Sequence, residues 1–229
     1  MTLDNKLDQV RDEYLHRLAR GDGMLLNQIK EHIASHMGKM LRPRLLLMSA
    51  ATLGDEALNS DRTLLLAVAI EMLHNASLLH DDVIDHADSR RGQSSVNNRF
   101  GNTAAILAGD YLLAQVMSIL HEVNDPDAAA RINRTVISMV EAELLQMKPE
   151  TLTQDTYQRI IDGKTAALFA TACALGNPDY EEFGLHYGRL FQLRDDIADH
   201  DDTPFTTSLI AQEEAALAAI KHTLPILNK

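Results

Sequence analysis

The chain has 229 residues, enough for one folded domain with a real core, and a formal net charge of −12. That charge excludes a general nucleic-acid binder, which presents a basic surface, so no nucleic-acid partner is expected. Aromatic residues make up 4% of the chain, so its core must be built from Leu, Ala, Ile, Val and Met, a palette suited to packed helices rather than a β-sandwich.

Apolar residues recur at helical spacing from end to end. They predict helices at about 3–20, 24–37, 41–53, 60–86, 101–122, 127–147, 153–175, 179–200 and 208–223. Breaks are expected at Gly21/Gly23, Gly54, Gly92, Pro126, Pro149, Gly176/Pro178 and Pro204. Strands are hard to find, and no linker divides the chain, so residues 1–229 read as one all-α domain. The opening MTLDNKLDQVRDEY is charged throughout, and no unbroken apolar run reaches the roughly 18 residues of a spanning helix, so no transmembrane segment is expected. The single cysteine, Cys173, rules out an internal disulfide framework, fits a reducing cytoplasm and reads as a buried apolar residue. Met117, Met139 and Met147 read as core filler.

Two of these helices are greasy and end in acid. The stretch LLLAVAIEMLHNASLLHDDVID is apolar nearly all round until His74 and then delivers Asp81, Asp82 and Asp85. The second, FGLHYGRLFQLRDDIAD, delivers Asp195, Asp196 and Asp199. Each cluster is D-D-x-x-D, which puts the first and last carboxylates on one helical face. Acids at a helix C-terminus oppose the macrodipole, so such a burst is costly without a counter-ion. Hard oxygen ligands of this kind suit Mg²⁺, which keeps waters and bridges to substrate phosphates. Facing each other, the two clusters would make a socket for a diphosphate at the mouth of an apolar cavity. Each taken alone also reads as a solvated helix end.

Basic residues stand nearby in sequence. Arg90-Arg91-Gly92 follows the first cluster, and Gly38-Lys39-Met40-Leu41-Arg42-Pro43 supplies Lys39 and Arg42. Guanidinium forks match phosphate oxygens, although each of these sites alone also reads as a surface turn or as charge neutralisation of Asp85 and Asp88. Lys164-Thr165 lies among small residues on a helix, either exposed or reaching into a cleft. His74 alone reads as a satisfied core histidine.

Taken together, GKMLRP, HNASLLHDDVIDHADSRRG, FGNTAAILAGDYLLA, KTAALFATACALG and YGRLFQLRDDIAD resemble the trans-polyprenyl diphosphate synthases, in family order over most of residues 38–200. The first aspartate motif is worded most like the long-chain bacterial branch. The resemblance implies an all-α orthogonal helix bundle around a deep central cavity, the isoprenoid synthase type, working as a homodimer. It implies that isopentenyl diphosphate condenses with an allylic prenyl diphosphate. Asp81, Asp82, Asp85, Asp195 and Asp199 would hold Mg²⁺, with Asp196 in support. Arg90, Lys164 and Gln192 would touch the allylic diphosphate and Thr165 the reacting carbon. Lys39, Arg42, His74 and Arg91 would hold isopentenyl diphosphate. Ala76 and Ser77, one turn before Asp81, are small, which implies a product longer than farnesyl.

The resemblance weakens after about residue 202, where family helices are missing and no lysine occurs between Lys164 and Lys221. Arg194 stands where the family has an apolar residue; it either supplies the missing charge or pairs with an acid. Two other readings follow: a non-catalytic or partner-dependent subunit of a prenyl synthase, and a class I terpene cyclase. The latter is disfavoured by the aspartates of the second motif.

Overall fold

The computed structural model describes residues 2–35, 37–147, 152–201 and 203–221. The break expected at Pro149 and the helix end expected at 223 lie outside them. The helices are α1 (Leu3–Leu18), α2 (Met24–Ser35), α3 (Leu41–Ala51), α4 (Asp55–Asn59), α5 (Asp61–Ile84), α6 (Val96–Phe100), α7 (Asn102–Val123), α8 (Pro126–Met147), α9 (Gln154–Ile161), α10 (Ala167–Gly176), α11 (Glu181–Ala198) and α12 (Thr206–Lys221). Strand content among the described residues is one hairpin, β1 (Ser89–Arg90) and β2 (Gln93–Ser94).

The chain folds into two compact units, one of residues 1–44 and 59–125, the other of 45–58 and 126–229. In the first, α5 packs on α7 and α1. The Ser60 hydroxyl caps α5 by accepting from the Thr63 N–H at 3.2 Å, and the helix is buried on every side from Leu66 to Leu73. It is therefore the central helix its composition predicts. In the second unit, α11 packs between α10 and α12. A Cβ on Gly176 would stand 2.3 Å from the Leu46 carbonyl oxygen, so only glycine lets α10 pass this close to α3.

Several expectations need correction. The helix expected over 153–175 is interrupted by a π turn at Asp162–Ala166, and the short α4, α6, hairpin and 3₁₀ turn at Pro178–Tyr180 were not foreseen. Met117 is 70% exposed and Met147 60% exposed, so neither fills a core. Two helices, α5 and α7, are long and apolar enough to cross a membrane by length and composition, although no unbroken apolar run reaches that length. The apolar window of α5 is 67% buried inside the protein, as befits a core helix, and that of α7 is 33% buried. Cys173 is buried as expected, and burial pushes its thiol up to about 12, which leaves it unreactive.

Candidate active site

The two aspartate clusters end their helices in the same way. In the first unit Asp85 caps α5, its N–H bonding to the Asp81 carbonyl at 2.8 Å; His86 follows in the left-handed region (φ 52°), and the Ala87 N–H reaches back to the Asp82 carbonyl at 2.9 Å. In the second unit Asp199 caps α11 by bonding to Asp195 at 2.9 Å, His200 is left-handed (φ 62°), and the Asp201 N–H reaches Asp196 at 2.8 Å. Both are Schellman-type ends, with the first and third aspartates of each motif on the last turn, at the negative pole of the helix.

The middle aspartate is turned inward in both. Asp82 is 4% exposed and takes the Arg90 guanidinium, Nε at 2.8 Å with Nη2 on the same oxygen. Asp196 accepts from the Gln192 amide at 2.7 Å and from the Tyr157 hydroxyl. Asp85, Asp195 and Asp199 are exposed and Asp81 is half-buried. Among the described residues no group of three or more acidic, histidine or cysteine side chains converges into a ready cage. One or two hard carboxylates at each helix end is still the donor set Mg²⁺ accepts, because it completes its shell with water and substrate phosphate.

The hairpin beyond α5 aims the arginines. Its two-residue loop is Arg91-Gly92, both left-handed (φ 53° and 78°), the type I′ geometry that matches strand twist. Asn97 ties the approach to this hairpin by donating to the Asp82 and Ala87 carbonyls at 3.0 and 3.1 Å. The Arg91 guanidinium lies on Gly38, where an added Cβ would meet Nη2 at 2.5 Å. That contact joins the GKMLRP and RRG stretches. Arg42 stands 3.0 Å from His74 Nε2. Lys39 is exposed.

Glu71 was missed by the sequence reading. It is 2% exposed on α5, and burial raises its pKa while Arg42 and Arg91 oppose the rise. Asn75 donates to the Glu71 carbonyl at 2.9 Å and to the Tyr14 hydroxyl at 3.2 Å. Polar residues at 71, 74 and 75 on an otherwise apolar helix were the available signal. Desolvation, and then Arg42, Arg91 and Arg90, hold His74 well below its ordinary 6.5, so it is neutral and accepts from Arg42. Folded His74 therefore refuses a proton that the unfolded chain takes. Its contribution to stability is complete above 6.5 and is lost as the pH falls below that value. Wild-type protein should lose up to about 1.4 kcal/mol per pH unit there relative to His74→Gln, read by urea melts at pH 7.5 and 5.0.

In the second unit, Lys164 and Thr165 sit on the π turn, a feature that recurs at functional sites. Lys164 pairs with Glu143 at 3.2 Å and accepts company from Gln146, to which it donates at 3.0 Å. The Thr165 hydroxyl donates to the Gln192 side-chain oxygen. Arg194 pairs with Glu214 at 2.7 Å on the surface.

The site's geometry is thus that of a mainly helical chain with two carboxylate-tipped helices, each beside cationic or amide side chains. The polyprenyl synthetase family model matches residues 24–227, and the chain belongs to that family. It is 32% identical to the all-trans-nonaprenyl-diphosphate synthase (geranyl-diphosphate specific) of Rhodobacter capsulatus, over 94% of this chain and 69% of that protein. It is 34% identical to heptaprenyl diphosphate synthase component 2 of Bacillus subtilis, over 88% of this chain and 60% of that one. A crystal structure of polyprenyl synthase from Caulobacter crescentus, complexed with calcium and isoprenyl diphosphate, matches with a TM-score of 0.81 and 30% identity, over 87% of this chain and 64% of that one. The chain thus spans roughly two thirds of the length of such relatives.

Proposed function

We propose that the protein is a prenyltransferase that condenses isopentenyl diphosphate with an allylic prenyl diphosphate, giving a trans-polyprenyl diphosphate longer than farnesyl. The observation that carries this is the twice-repeated helix end, with carboxylates gathered at a negative pole that a bound cation would offset. Asp81, Asp85, Asp195 and Asp199 would hold Mg²⁺, with Asp82 and Asp196 bracing them from within. A metal ion held by these residues would supply electrostatic stabilisation to a departing diphosphate. Arg42, Arg91 and neutral His74 bind isopentenyl diphosphate, with Lys39 reaching it from the surface. Arg90, Lys164 and Gln192 orient the allylic partner, and Thr165 faces the carbon that loses its diphosphate. Apolar walls keep water from the allylic cation until the double bond of isopentenyl diphosphate attacks it; the proton then lost passes to released diphosphate.

Residues 1–229 act as one catalytic domain in this reading, in a cytoplasmic homodimer. Exposed Ile106 and Leu107 on α7, and Val140 and Leu144 on α8, support self-association, which sedimentation of the purified protein tests. Incubation with Mg²⁺, farnesyl diphosphate and labelled isopentenyl diphosphate tests the activity. Longer prenyl diphosphates support the reading; a cyclic hydrocarbon, or turnover only when a second protein is added, overturns it. The second of those outcomes is the reading kept in view by a relative named as a component of a synthase.

Ser77 sits one turn before Asp81 and is half-buried, whereas Ala76 is 1% exposed with no room to grow. Ser77→Phe should shorten the product by at least one isoprene unit, seen by chromatography of dephosphorylated products. Ala76→Phe should instead overpack α5 and cost about 2 kcal/mol.

A further inference from the structure

The second unit holds a hydrogen-bonded chain that runs from the Thr203–Thr206 turn through Tyr157, Asp196 and Gln192 to Thr165. Asp196 can only accept, so the Tyr157 hydroxyl and the Gln192 amide must both donate to it. The Tyr157 proton being committed, its oxygen accepts from the turn, where the Thr206 hydroxyl lies 3.1 Å away and the Thr203 side chain also reaches it. The Thr206 oxygen accepts the Thr203 N–H at 2.8 Å, and the two hydroxyls lie 3.1 Å apart. At the other end, the Gln192 NH₂ facing Asp196 turns its carbonyl toward Thr165, whose proton goes there. Tyr157 is 6% exposed and Thr206 1% exposed, so water does not substitute for either. Tyr157 packs in the core with Ile161, Leu193 and Leu209.

We propose that Tyr157 is a positioning residue for the reaction: its hydroxyl fixes the Asp196 carboxylate that orients the Gln192 amide and, through it, the Thr165 hydroxyl, which then presents oxygen lone pairs, and not its proton, to the substrate. The proposal rests on the prenyltransferase reading above. It extends the site to α9 and to the Thr203–Thr206 turn, the segment that follows the second aspartate motif where the family's lysine-containing stretch is absent. This segment is wired to the site by the phenol and not by a cation.

Tyr157→Phe keeps the ring and removes the link. With each substrate varied in turn, kcat should fall about tenfold, the loss expected for one buried hydrogen bond to a charged group, while the KM for isopentenyl diphosphate stays unchanged. An unchanged kcat, or a loss matched in that KM, overturns the proposal. A second measurement needs no turnover. The chain has five tyrosines; labelled with ¹³C at the phenol carbon, Tyr157 is identified as the resonance missing from Tyr157→Phe. Gln192→Leu and Thr206→Val should each shift it, and a resonance deaf to both breaks the chain. If wild-type protein forms no product at all, the prenyltransferase reading fails, while this resonance still decides whether the chain exists.

Discussion

Asp81→Asn is expected to lower turnover about 10³-fold with helical content unchanged, and Asp195→Asn to do the same. The side chains are nearly isosteric, and neither residue belongs to a packed core, so the loss must come from charge. Asn keeps an oxygen but not the full negative charge that makes a carboxylate a ligand for a hard divalent ion. If both aspartates serve one departing diphosphate, their losses will not add. The double variant should be little worse than either single one, because groups that act as a unit fail together. A double variant slower by the product of both losses would mean that the two clusters serve separate steps. Raising Mg²⁺ should recover part of the loss in each single variant. Asp82→Asn should behave differently: it leaves Arg90 against a neutral amide and should lower stability as well as rate, since Asp82 is 4% exposed and charge-paired.

The second large effect separates two glycines that look alike on paper. Gly176→Ala should cost about 3 kcal/mol, lowering the melting temperature by roughly 8 °C. The new methyl would stand 2.3 Å from the Leu46 carbonyl oxygen and 2.8 Å from the Ala50 nitrogen, so the α3 backbone must move. Gly38→Ala meets only the end of Arg91, 2.5 Å from Nη2, and Gly38 does not lie in the left-handed region. A guanidinium can swing aside where a backbone cannot. Gly38→Ala should therefore melt within about 1 kcal/mol of wild type yet raise the KM for isopentenyl diphosphate about tenfold, because Arg91 is displaced. Equal melting losses in both variants would show that the obstacle at Gly38 is stiffer than a side chain.

Much of this was legible from residue order. The helices α1, α5, α7, α8 and α11 follow from apolar spacing, and the breaks at Gly21/Gly23, Pro126 and Gly176/Pro178 from residue type, whereas α5 and α11 end on left-handed histidines, His86 and His200, which no such signal marks. What escaped has physical reasons. A π turn adds one residue to a turn without altering composition, so Asp162–Ala166 read as ordinary helix. The Arg91-Gly92 hairpin lacks the Asn-Gly signal of its turn type. Tyr157 and Glu71 are polar groups whose value lies in partners distant in sequence, which no local pattern reveals. Met117 and Met147 looked like interior residues because hydropathy says what a side chain prefers and not which face of its helix is covered.

Arg91 holds a backbone shape that glycine or asparagine would adopt more comfortably. Breeding this protein for heat resistance alone should thus erode the arginine first, because survivors of a hot screen are rewarded for relaxed loops whether or not they still make product. If Arg91 serves the proposed reaction, any laboratory evolution of a tougher variant must keep a catalytic selection running alongside, or it will trade that arginine for a sturdier hairpin.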